Sequence, residues 1–104
     1  MIDIGVFYPN GEGKRFNMDY YCNKHMAMAK KLLGPKLKGV AAEKGLSGPE
    51  PASGPSYLAV GHLYFDSVED FQAAFGPHAA AFDADLPNFT NSTPQVHIFE
   101  VTLR

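Results

Sequence analysis

The apolar residues of this chain recur with two different periods, and the order in which the periods alternate leaves little freedom for the fold. Over residues 2–8, Ile2, Ile4, Val6 and Tyr8 alternate with Asp3, Gly5 and Phe7, the period of two that marks a strand, and Pro9-Asn10-Gly11 ends it. Over residues 17–33 the spacing becomes helical, with Asn17 placed to cap the free amides and Gly34-Pro35 placed to stop the helix. Residues 36–44 read as a second strand of mixed polarity. The stretch 45–56 holds Gly45, Gly48, Gly54, Pro49, Pro51 and Pro55, and reads as a loop expected to be mobile or partner-bound. Residues 57–65 carry the strongest strand pattern. Ser67-Val68-Glu69-Asp70 then opens a helix through a capping-box-like pattern, with Asp where Glu is usual, and that helix runs to Phe75. Gly76-Pro77 interrupts it, and Pro77 suits the first position of a further helical segment ending by Leu86-Pro87. Pro94 starts a last strand, in which Val96, Ile98 and Glu100 alternate with His97, Phe99, Val101 and Leu103.

The resulting order is βαββαβ. In an α+β chain it predicts a four-stranded antiparallel sheet with both helices on one face, the ferredoxin-like arrangement. The 104 residues suffice for one domain, spanning 1–104. In the third strand both alternating sets, Leu58, Val60, His62, Tyr64 and Tyr57, Ala59, Gly61, Leu63, Phe65, are largely apolar, so the sheet face away from the helices should also be covered. A second copy of the same sheet is the economical cover, and a homodimer through the sheet faces is expected.

Composition narrows the function classes. A formal net charge of −2, with no basic run longer than Lys30-Lys31, argues against nucleic acid as a partner. No apolar stretch reaches the length of a membrane span and no secretion signal precedes the first strand, so a cytoplasmic location is expected. Cys22 is the single cysteine, which leaves no intramolecular disulfide and suits a reducing compartment. Asn88-Phe89-Thr90 and Asn91-Ser92-Thr93 match the glycosylation sequon, but here read as a polar loop. Gly11-Glu12-Gly13-Lys14 lacks the spacing of a phosphate loop and reads as a turn.

The residues able to carry chemistry cluster on the helices. At about 100° per residue, the apolar arc of the first helix runs through Met28, Tyr21, Leu32, His25, Met18, Ala29, Cys22, Leu33 and Met26, with His25 near its centre. A buried imidazole needs a hydrogen-bond partner or a cavity. Tyr21, one turn earlier, is the local candidate. Two readings stand: a core histidine satisfied by a tyrosine hydroxyl or backbone carbonyl, or a functional group facing a pocket. His78 shares a register with Phe82 and Leu86 and follows Pro77 in its segment's first turn, where a neutral imidazole suited to accept a proton is expected; a packing or capping role is the other reading. His62 and His97 sit on strands of undecided face. No His-x-His or His-x-x-x-His spacing favours a metal site. Cys22, on the flank of the arc, reads as a small core residue.

Phe16-Asn17 followed by Tyr20-Tyr21 and His25, the Lys44-Gly45-Leu46 stretch, and Phe65-Asp66-Ser67-Val68-Glu69 with Phe71 through Phe75-Gly76-Pro77-His78-Ala79 resemble the EthD family across essentially the whole chain. The resemblance implies a dimeric α+β barrel of two ferredoxin-like halves. The family is named for a small protein needed in bacterial degradation of ethyl tert-butyl ether beside an oxygenase system, and its members are commonly labelled reductases. The same superfamily holds cofactor-free monooxygenases, polyketide cyclases and haem-binding enzymes, which use the pocket between helices and sheet. Carried over by position, the family's helix histidine falls on His25, its preceding tyrosine on Tyr21 and the histidine after Gly-Pro on His78. Ala27 and Met28 stand where the family often has Pro and Leu, which alters the pocket lining.

These observations support three readings. The first is a small enzyme in which His25 and Tyr21, with His78, move protons on a hydrophobic, phenolic or enolisable metabolite, in a pocket expected to include Tyr20, Met28, His62, Tyr64 and Phe82. The second is a non-catalytic protein that holds or delivers such a ligand to an oxygenase, and the third is haem binding through one histidine. No dinucleotide fingerprint is present, so no bound nicotinamide or flavin is expected, nor any other cofactor apart from that haem reading.

Overall fold

In the computed structural model, which describes every residue except Pro51, the Asn17 side chain accepts the Tyr20 amide hydrogen at 3.0 Å and opens the first helix. That helix is composite: α1 (Met18–Tyr20), a π-helical turn (Tyr21–His25) and α2 (Met26–Leu33). A π turn holds more residues than an α turn. Tyr21, His25, Met26, Ala29 and Leu33 therefore all face inward and are buried, whereas Cys22, expected on the buried flank, is exposed. Gly34 ends the helix at φ 68°, a conformation glycine adopts without penalty. A 3-10 turn over Gly34–Lys36 follows, closed by the Leu37 amide on the Gly34 carbonyl at 3.1 Å, so the second strand, β2 (Gly39–Lys44), begins later than the pattern predicts.

The sheet is completed by β1 (Ile2–Pro9), β3 (Tyr57–Phe65) and β4 (Gln95–Glu100). Its order is β2-β3-β1-β4, antiparallel at every pairing, which is the expected ferredoxin-like α+β arrangement. β4 stops at Glu100, so Val101 and Leu103 do not extend it. The second helix is also divided. Ser67 Oγ accepts the Asp70 amide at 3.1 Å to start α3 (Val68–Phe75). A 3-10 turn over Gly76–His78 absorbs Pro77, then α4 (Ala79–Asp85) leads into a second 3-10 turn, Leu86–Asn88. Among the described residues, no helix is long and apolar enough to cross a membrane.

Both composite helices lie on the sheet face formed by Ile4, Tyr8, Ala59 and Phe65. There Tyr21, Ala29, Leu33, Phe82 and Phe89 close the core, each large side chain contributing roughly 1.5–3 kcal/mol. The polar stretch after α4 ties this core to the chain's beginning: Thr90 Oγ1 donates to the Arg15 carbonyl at 2.7 Å and Ser92 Oγ to the Pro9 carbonyl at 2.6 Å. The loop over residues 45–56 is anchored at its ends, with the Gly45 amide on the Leu58 carbonyl and the Asn10 amide on the Ser56 carbonyl; Pro51 lies outside the described residues.

Strand parity sends Asp3, Phe7, Val60, His62 and Tyr64 to the opposite sheet face. That face is less apolar than expected. Phe7 meets Tyr57, His97 and Phe99 edge-on, but beside them His62 contacts the carboxylates of Asp3 and Glu43.

Candidate functional site

His25 lies at the end of the π turn, where the widened turn carries it under the second helix. The imidazole is buried, with 8% of the residue exposed, and is packed among rings: Tyr21 stacks on it at 5.4 Å between centroids, Phe89 lies at 4.6 Å and Phe82 at 5.8 Å. Its Nδ1 is 2.8 Å from Asp85 Oδ2. The other oxygen, Asp85 Oδ1, accepts the Tyr20 hydroxyl at 2.7 Å and the Asn88 amide at 3.0 Å. Burial alone would raise the Asp85 pKa, but the bonds from Asn88, Tyr20 and His25 outweigh it and hold the carboxyl below its usual value. An ionised Asp85 accepts from Nδ1–H, which leaves Nε2 as the lone-pair nitrogen of the neutral ring. Tyr20 in turn is raised, first because its hydroxyl serves Asp85.

His25 forms part of the wall of a cavity of about 290 Å³ between helices and sheet, lined also by Tyr8, Tyr21, Phe71, Phe75 and Phe82. That volume sits at the low end of the roughly 300–1,000 Å³ typical of ligand sites. Tyr8 and Tyr21 both line the cavity, and their hydroxyls pair with each other. Burial pushes Tyr8 up to about 12, and burial together with the neighbouring Tyr8 raises Tyr21 further. Both therefore stay protonated near neutrality; Tyr21 gives its hydrogen to the Tyr8 oxygen, which leaves the Tyr8 hydrogen free to donate. Tyr21 can lie this close to β3 because the facing residue is Gly61, where a Cβ would collide with its hydroxyl oxygen. A larger groove of about 590 Å³ lies beyond Phe89, between Arg15, Asn17, Lys44 and Asn88, but it is open and its walls hold no histidine. Among the described residues, no group of three His, Cys, Asp or Glu side chains could hold a metal ion.

The structure gathers some of the expected residues and separates others. His25, Tyr21 and Phe82 meet at the cavity. Tyr21 contacts His25 by ring stacking; its hydroxyl goes to Tyr8, and the polar partner of His25 is Asp85. Tyr20 stands behind the site, bound to Asp85. Met28 is half-buried against the core but is not part of the cavity wall. His62 and Tyr64 belong to the far sheet face, because their strand positions have the opposite parity to Gly61 and Leu63. His78 is half-buried in the 3-10 turn and does not reach the cavity, since that turn offsets it from the Phe82 face. Asp85 and Tyr8 are the residues that the sequence reading missed. Asp85 could have been noticed as an acidic residue three positions after Phe82 and next to Leu86 on the inward side of its helix.

The fold and site define a class: a small α+β protein with a histidine–aspartate pair set in a largely apolar cavity between one sheet and its covering helices. Residues 11–93 match the EthD domain, and the chain belongs to the EthD family. The fold is shared with an EthD-like protein from Ralstonia eutropha, 38% identical, with a TM-score of 0.93 over 98% of this chain and 92% of that one. An ethyl tert-butyl ether degradation family protein from Bacillus halodurans is 19% identical, with a TM-score of 0.73 over 98% of this chain and 99% of that one. A protein from Arabidopsis thaliana, 14% identical, shares the fold alone, with a TM-score of 0.68 over 100% and 98%. No curated protein matches the sequence.

Proposed function

We propose that this protein moves a proton on a small, hydrophobic, phenolic or enolisable molecule bound in the cavity, with His25 as the base. The observation that carries this reading is the His25 Nδ1–Asp85 Oδ2 bond of 2.8 Å on an imidazole that lines the cavity. Asp85 fixes the tautomer and stabilises the imidazolium that forms when Nε2 takes a proton from substrate carbon. The electron pair released from that C–H bond moves to the substrate carbonyl, and the resulting oxyanion is met by the Tyr8 hydroxyl, whose oxygen Tyr21 supports by donating to it. The cavity volume of about 290 Å³ suits one or two rings.

The test uses β-tetralone, an enolisable two-ring ketone, in deuterated water. Nuclear magnetic resonance should show protein-dependent exchange of its α-hydrogens. His25→Ala should lower that exchange at least about a hundredfold while leaving the affinity for β-tetralone within a few-fold, and Tyr21→Phe should have a smaller effect. Binding with exchange no faster than in buffer would refute the catalytic reading and favour the second one, a carrier that delivers a hydrophobic ligand to an oxygenase. That second reading draws on the predominantly apolar cavity wall.

We also propose that two copies pair through their sheet faces. Edge strand β4 is exposed along all six residues, and Phe99 on the outer face keeps 47% of its surface exposed. A species of only 11.3 kDa at micromolar concentration would refute the pairing.

A further inference from the structure

His62 stands on the sheet face away from the helices, between carboxylates from two other strands. Its Nδ1 is 2.8 Å from Asp3 Oδ2 on β1, and its Nε2 is 2.7 Å from Glu43 Oε1 on β2. A neutral imidazole has one N–H, so it can donate to only one of these oxygens. With both carboxylates ionised, both bonds together require the imidazolium. The two contacts differ in their surroundings: the Asp3 side chain is 16% exposed and its Oδ1 is buried with no partner among the described residues, whereas the Glu43 side chain is 59% exposed. The other groups facing the cluster are Tyr64, whose ring stacks on His62 at 6.2 Å, and Arg104, whose guanidinium lies 5.4 Å from the Tyr64 ring centroid; His97 lies across the face beside Phe7. The face thus carries an acidic cluster with one arginine beside it.

We propose that Asp3, His62 and Glu43 form a protonation-controlled contact within the pairing of two copies, which therefore tightens as pH falls through the titration of His62. This rests on the sheet-face pairing proposed above. In a separate chain, loss of the Nε2 proton costs less than it would under a second sheet, because the exposed Glu43 carboxylate can turn to water. Under a second sheet it cannot, so the paired state holds the proton more strongly, and by linkage the proton strengthens pairing. In the single chain burial already opposes the charged ring, but the bonds from Asp3 and Glu43 outweigh it and raise the His62 pKa.

Sedimentation equilibrium of the full chain at about pH 6 and about pH 9 tests this, with circular dichroism confirming the fold at both. The dimer dissociation constant should be at least about fivefold lower at the acidic value. His62→Gln should abolish the difference, and Glu43→Gln should reduce it by strengthening pairing at the alkaline value. A dimer whose affinity does not change with pH would overturn the inference and leave the pairing standing. A pH dependence that persists in His62→Gln would overturn it likewise. A monomer at both values would overturn the pairing and the inference together.

Discussion

A single methyl group added at Gly61 should weaken the fold through the residue that stacks on His25. A Cβ built at Gly61 collides with the Tyr21 hydroxyl oxygen and lies 3.2 Å from Tyr21 Cζ and 3.3 Å from Met26 Cε. Tyr21 is 2% exposed and wedged between Tyr8, Phe16 and His25, so its ring cannot retreat from β3 without displacing them. Overpacking of this kind costs about 1–3 kcal/mol, against which alanine's lower chain entropy in the unfolded state offsets roughly 0.5–1. Gly61→Ala should therefore destabilise by up to about 2.5 kcal/mol, or up to about 20 °C in Tm for a domain of this size. Tyr21→Phe removes the colliding atom, at the cost of about 1–3 kcal/mol for the Tyr8 hydroxyl it leaves unpaired. In the double variant the alanine should then cost less, because the remaining contacts, the ring carbon at 3.2 Å and Met26 Cε at 3.3 Å, need to give by only a few tenths of an ångström. Urea unfolding of the wild type, both single variants and the double variant closes the cycle. Equal penalties for Gly61→Ala in the wild type and in the Tyr21→Phe variant would refute the claim that Gly61 exists to admit the hydroxyl.

Two further outcomes concern pH. Because its folded pKa is lowered, Asp85 contributes stability that is present above its unfolded value of about 4 and is lost as pH falls through the folded value. Asp85→Asn should thus lower stability near neutrality by about 1 kcal/mol and flatten the acid limb of a Tm-against-pH curve; an unchanged acid limb would remove Asp85 from this role. At the alkaline end, Tyr8 is pushed up to about 12, so its stabilising contribution is complete below about pH 10 and lost as pH rises through about 12. Of the five tyrosines, Tyr8 and Tyr21 should ionise only with unfolding in an ultraviolet titration, and smooth ionisation of all five near pH 10 in the folded state would contradict their burial.

The order of elements, the capping by Asn17 and Ser67, the stop at Gly34 and the inward position of His25 were all legible in the sequence. Each depends on residues only a few places apart, through backbone hydrogen bonding and the period of apolar side chains. What those patterns could not show was a departure from the period itself. The π turn over Tyr21–His25 shifts the arc, which puts Cys22 in solvent and lets His25 and Met26 both face inward. Nor could they show which groups meet across the fold. Asp85 is 60 residues from His25, and it reaches the imidazole because the interrupted second helix brings the end of α4 over the π turn. The sheet parity that turns His62 to the far face, towards Asp3 and Glu43, likewise exists only once β1, β2 and β3 are in register. The sequence alone thus determined that a histidine would be buried on the first helix, because the apolar period is written locally. Only the tertiary structure decided that its partner is a carboxylate bonded to Tyr20, because that contact is made by packing between helices rather than by spacing along one.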